Sequence, residues 1–140
     1  MKIKKTFLVA AFVLLATAST AFCSDKVVEI RDKMFLTQTD EIYLNAGDYI
    51  GRTIRYEGIY TSFPTMPGQE AMHMVFRRAP GCCGNDGSAG FLVTWDGEYP
   101  NPNAWVQIEG VLESPAEGKL VVRASSLSVL EKRGQEFVTK

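Results

Sequence analysis

Thr53-Ile54-Arg55-Tyr56-Glu57-Gly58-Ile59-Tyr60 sets Ile54, Tyr56, Gly58 and Tyr60 on one side of the chain and Thr53, Arg55 and Glu57 on the other. That period of two is the spacing of a half-buried β-strand, and the glycine inside it marks a bend. Beyond it, residues 72–76, 91–95, 105–112 and 120–124 read as further strands, the last resuming through 127–130. Turn residues punctuate them: Pro64 with Pro67-Gly68, Pro80 through Gly90, Asp96-Gly97 with Pro100 and Pro102, and Pro115 through Gly118. Upstream, Val27, Val28 and Ile30 suggest a first extended segment, and residues 35–49 read as a short helix ending near Asn45-Ala46-Gly47. Five short strands, a long loop after the first and a hairpin at the end predict a mainly β fold, a small five-stranded OB-like barrel with one short N-terminal helix. Gly58 and Gly110 would be its bends. The helix usual between the third and fourth strands is missing, because residues 97–103 hold two prolines and no apolar period. Another five-stranded antiparallel sheet is the alternative.

Ahead of this domain, Lys2, Lys4 and Lys5 precede an apolar run over residues 7–16 and small residues over 17–21. This is the three-part pattern of a secretory signal peptide, so the expected organisation is a signal over 1–23 and a single OB-like domain over 24–140. Cys23 raises a lipid anchor, but Phe22 stands where lipoprotein signals carry a small residue. No later apolar run is long enough to span a bilayer. The expected location is therefore periplasmic or otherwise extracytoplasmic. Loss of residues 1–23 removes three lysines and no acids, taking the net charge from −1 to −4. An acidic surface repels phosphate backbones and disfavours nucleic acid as a partner.

The chemistry concentrates in Ala79-Pro80-Gly81-Cys82-Cys83-Gly84-Asn85-Asp86-Gly87-Ser88-Ala89-Gly90, read as a glycine-rich loop. Neighbouring side chains on an extended chain point to opposite faces, so the two sulfurs meet only if the backbone turns sharply, which Gly81, Gly84 and Gly87 permit. Three readings stay open for the pair. One is a strained, easily reduced vicinal disulfide serving as a thiol–disulfide redox centre, because adjacent α-carbons lie only about 3.8 Å apart. Another is soft-metal binding, with Cys82, Cys83, Asp86 and His73 as ligands to zinc or copper, and Met72 and Met74 beside the histidine. The third is structural packing of a tight loop, leaving an adaptor whose aromatic face of Trp95, Tyr99 and Trp105 binds protein or glycan. In that reading Trp105 is the exposed member, alternating with Gln107 and Glu109. One histidine and no nucleophile elbow leave little machinery for hydrolysis, so the chain leans away from being an enzyme.

Several runs taken together carry a resemblance: Ile42-Tyr43-Leu44-Asn45, Asp48-Tyr49-Ile50-Gly51-Arg52-Thr53, Phe76-Arg77-Arg78 leading into Cys82-Cys83-x-x-Asp86, Gly90-Phe91-Leu92-Val93 and Trp105-Val106-Gln107-Ile108-Glu109-Gly110. The pattern is similar to the C-terminal soluble domain of the YcgQ-like bacterial membrane proteins, whose genes sit beside a predicted permease, and spans about residues 35–138. The resemblance implies an extracytoplasmic OB-like domain marked by Cys82, Cys83 and Asp86, an association with metal homeostasis, zinc in particular, and a membrane permease or other envelope protein as partner. The chain departs from the family in having a single N-terminal signal in place of paired membrane helices, and Gly84-Asn85 where relatives tend to carry alanines.

Overall fold

In the computed structural model, residues 26–140 are described. The expected signal peptide and Cys23 lie outside them. The strands are β1 (Val28–Glu29), β2 (Thr53–Phe63), β3 (Met72–Gly81), β4 (Gly84–Thr94), β5 (Trp105–Ala116) and β6 (Lys119–Val129), and the helix α1 (Phe35–Leu44) precedes β2. Among the described residues, no helix is long and apolar enough to cross a membrane.

β2 closes the barrel by serving two partners in turn. Its first half, Thr53 to Ile59, pairs antiparallel with β5, and its second half, Ile59 to Phe63, pairs antiparallel with β3. β3 continues to β4, β4 meets β6 in parallel, and β6 returns to β5, giving a ring of five strands with β1 appended in parallel to the start of β2. This is the expected OB-like barrel. Gly58 sits at the switch between partners, where a Cβ would lie 2.7 Å from the Phe76 carbonyl oxygen, so the strand bends at the one residue that permits the approach. The inward positions fill the core with Ile54, Tyr56, Tyr60, Val75, Phe91, Val93, Ile108 and Val122.

α1 closes one side of this core. Phe35, Thr39 and Ile42 recur at helical spacing and are buried, and the Thr39 hydroxyl bonds back to the Phe35 carbonyl, which hides its polarity within the helix. Phe35 meets Tyr56 edge-on, and Tyr43 stacks on Phe91 at 5.2 Å. The helix ends at Leu44, as expected, but not through Gly47. The chain passes into a 3-10 turn at Ala46–Asp48, and the left-handed glycine is Gly51, with φ of 85°.

The largest departure from expectation concerns residues 79–90. They form no loop: β3 and β4 stay paired from His73/Val93 to Gly81/Gly84, and Cys82-Cys83 is a two-residue turn. Asn85 and Asp86 together oppose Pro80, a β-bulge in β4. Likewise the fifth expected strand runs unbroken through β6.

Arg77 is 1% exposed although charged. Its guanidinium pairs with Asp32 at 2.7 Å, donates from Nε to the Glu57 carbonyl at 2.8 Å and from Nη1 to the Gln135 carbonyl at 3.3 Å, and lies over the rings of Phe35 and Trp105. Asp32 is half exposed, so water relieves part of the cost of the pair. Replacing Arg77 by Met keeps the volume but orphans two carbonyls and loosens the segments at Asp32 and Gln135. The expected loss is about 2–4 kcal/mol of unfolding free energy, read as a lower urea midpoint, while Arg123→Met, which removes an exposed ion pair to Glu113, costs about 0–1 kcal/mol.

Candidate functional site

The tip of the β3–β4 hairpin brings together Cys82, Cys83 and Asp86. Pro80 holds the end of β3 extended, the two cysteines occupy the turn, and Gly84 takes φ of 107°, which returns the chain into β4. Turning at consecutive residues places both sulfurs on one side, 3.5 Å apart. The bulge aims the Asp86 side chain back over the turn. Its Oδ1 accepts from the Cys83 amide at 3.4 Å and its Oδ2 lies 4.0 Å from the Cys82 sulfur. Gly81 makes room for it, since a Cβ there would stand 2.0 Å from that Oδ1. Of the three glycines expected to hinge the turn, Gly84 supplies the positive φ, whereas Gly81 supplies space.

One ligand atom from each of Cys82, Cys83 and Asp86 falls within 4.8 Å of the others, and all three residues are exposed. Two thiolates bound tetrahedrally to zinc at about 2.3 Å stand roughly 3.8 Å apart. The sulfurs are spaced for that arrangement with little adjustment, and the carboxylate offers a third donor. Both cysteines are free thiols.

His73 does not join them. It lies at the other end of β3, nine residues from Cys82 and so roughly 30 Å away along the strand. There Tyr60 and His73 share a hydrogen bond of 2.7 Å at Nδ1, and the imidazole stacks on Tyr99 at 3.6 Å. Met72 and Met74 project to the opposite face of the strand from His73, so the three form no common ligand set.

The aromatic face is corrected as well. Trp105 is 1% exposed, not the outward member. Its Nε1 donates to Glu57, and Arg77, Arg133 and Gly134 cover it. Trp95 is half-buried, and its amide donates to the Tyr99 hydroxyl at 2.8 Å. Tyr99 and Trp95 thus share one rim of the barrel with His73, and Trp105 belongs to the packing around Arg77.

Burial pushes the His73 pKa below the ordinary imidazole value, partly offset by the Glu70 carboxylate. The folded state therefore favours neutral imidazole, and the unfolded chain binds the extra proton first as pH falls. His73 contributes stability above the unfolded value near 6.5 and loses it as pH drops from there towards the folded value. An NMR titration is expected to place the His73 midpoint below 6.5, and His73→Phe to flatten the fall in urea midpoint between pH 7 and pH 5.

No curated protein matches the chain. Among solved structures, the second OB-fold domain of replication protein A from Methanococcus maripaludis aligns at 12% identity, over 62% of this chain and 90% of that one, with a TM-score of 0.29. The family model of the DUF1980 C-terminal domain matches residues 14–135, nearly the whole chain and all of the barrel. The chain belongs to the DUF1980 C-terminal domain family, that of the YcgQ-like proteins whose motifs its sequence carries.

Proposed function

We propose that this domain is an extracytoplasmic metal-binding accessory module that holds zinc, or another soft or borderline cation, and serves a membrane transport partner such as a permease. The observation that carries the reading is the convergence of two thiols and a carboxylate within 4.8 Å at an exposed turn. Thiolates are the ligands that borderline and soft ions prefer, and mixed sulfur–oxygen sets suit zinc. With three protein donors, one coordination position stays open, as transfer requires. The tip is exposed, so an acceptor reaches it without the barrel unfolding.

A thiol–disulfide role is the second reading, favoured by two free, exposed sulfurs only 3.5 Å apart. Closing the bond would release two electrons and two protons to an oxidising partner and remove both sulfur donors. Mass spectrometry of alkylated protein, with and without prior reduction, separates the readings, because a redox centre yields a mixture of free and bonded pairs in envelope extracts.

The metal reading predicts about one equivalent of zinc retained by the reduced protein after incubation and desalting. It predicts less than about a tenth of an equivalent for the Cys82→Ser/Cys83→Ser double variant. Asp86→Asn and Gly81→Ala should both weaken binding by about tenfold or more, one by removing the charge and the other by displacing the carboxylate. Equal zinc contents in wild type and the double variant would remove the proposal.

A further inference from the structure

A cleft lies at the other end of β3 from Cys82, where the start of β3, the end of β4 and the start of β6 meet. Its volume of about 640 Å³ falls within the range of about 300–1,000 Å³ usual for small-molecule sites. Glu70, His73, Trp95, Asp96, Tyr99 and Lys119 supply its aromatic and charged lining. Trp95 is the platform. A Cβ on Gly97 would stand 2.5 Å from its Cε2 and Nε1 and 2.6 Å from its Cζ2. Near-equal distances to three ring atoms place Gly97 over the face of the indole rather than at its edge, so the ring lies flat on the backbone of residue 97. Among the described residues, no aromatic ring and no cation stacks on that indole, and its face away from Gly97 is left to the cleft. Tyr99 is held beside it by the bond from the Trp95 amide and by stacking on His73.

The charges around this platform are uncommitted. Glu70, Asp96 and Lys119 take part in none of the ion pairs among the described residues. Burial raises the Tyr99 pKa against the hydrogen bond with Trp95, and the carboxylates of Asp96 and Glu70 push it the same way. Both carboxylates therefore stand on the Tyr99 side of the cleft. The Nδ1 of His73 is engaged by the Tyr60 hydroxyl, which leaves Nε2 as the ring nitrogen for a ligand. Whichever nitrogen carries the proton, Nε2 suits a hydroxyl, which both donates and accepts. We infer that this cleft binds a neutral glycan of pyranose units with equatorial hydroxyls, one ring stacked on Trp95 and its hydroxyls bonded to Glu70, Asp96 and Lys119. Such a sugar has a flat C–H face for the indole and hydroxyls around its edge, which donate to carboxylates and accept from the ammonium. Two carboxylates against one lysine disfavour phosphates and other anions, and an organic cation would meet Lys119 in the same cleft. The site stands apart from the Cys82 turn, and the inference does not depend on a metal being held there.

The test is an NMR titration of isotope-labelled wild-type protein with cellotriose, with triacetylchitotriose and, as a cation probe, with tetramethylammonium chloride. At least one trisaccharide should bind with a Kd of about 1 mM or tighter. It should shift the Trp95 indole N–H and the amides of Glu70, His73 and Lys119, and leave the Trp105 indole in place. Trp95→Ala should weaken binding by about tenfold or more. Gly97→Ala should also weaken it by about tenfold, because its methyl group displaces the indole while every polar group of the cleft stays. Glu70→Gln and Asp96→Asn should each cost about threefold or more. Glu70 is exposed and outside the ion pairs, so the effect of its variant is read on a folded barrel. No shift with either sugar at about 20 mM, shifts confined to another face, or an affinity unchanged in Gly97→Ala overturns the inference. Tetramethylammonium moving the same resonances at lower concentration than both sugars overturns it as well and assigns the cleft to a cation.

Discussion

One buried cation ties the chain together. The Arg77 guanidinium bonds to the segment before α1 through Asp32, to β2 through the Glu57 carbonyl and to the C-terminal tail through the Gln135 carbonyl, between the rings of Phe35 and Trp105. Burying such a charge costs several kcal/mol unless it is paired and hydrogen-bonded. Here the partners come from three stretches of sequence, so satisfying the cation brings the segment at Asp32 and the tail at Gln135 onto the barrel. The adjacent Arg78 then pairs through its backbone with Glu136 and Val138, and Lys140 reaches Asp40 on the helix. β3 is thereby held on both edges up to Arg78, and its last residues project with the start of β4 as a hairpin.

The projecting hairpin is where Cys82, Cys83 and Asp86 lie, and its shape comes from small residues placed for different reasons. Gly81 yields the volume that the Asp86 carboxylate fills, Gly84 supplies the left-handed backbone after the turn, and the bulge at Asn85-Asp86 re-aims the aspartate. A rigid barrel with a short, exposed, donor-bearing turn is suited to holding an ion where another protein can reach it.

The barrel was legible from the sequence because alternation survives wherever one face is buried, as in Ile54, Tyr56 and Gly58 of β2. The hairpin was not, because Gly, Ser and Ala carry no apolar period and, beside Pro80, read as a loop. His73 was placed on the correct strand, but distance along a strand depends on where the turn falls, and the turn was hidden in that glycine run. Alternation misled at Trp105. Both it and Val106 are buried, since the tail at Arg133 and Gly134 covers the face that would otherwise meet solvent. The buried Arg77 left no local signal, as its partners are distant in sequence. The grouping of Cys82, Cys83 and Asp86 was readable from spacing and family likeness, whereas the role of Gly81 needed the register.

X-ray absorption at the zinc edge, on the reduced and zinc-loaded protein, reads the ion's own ligand shell. Two sulfur scatterers at about 2.3 Å, with the remaining shell of oxygen or nitrogen, are what convergent cysteines and an aspartate predict. A shell of oxygen and nitrogen alone would contradict it, because the ion would then be bound without the sulfurs that the turn brings together.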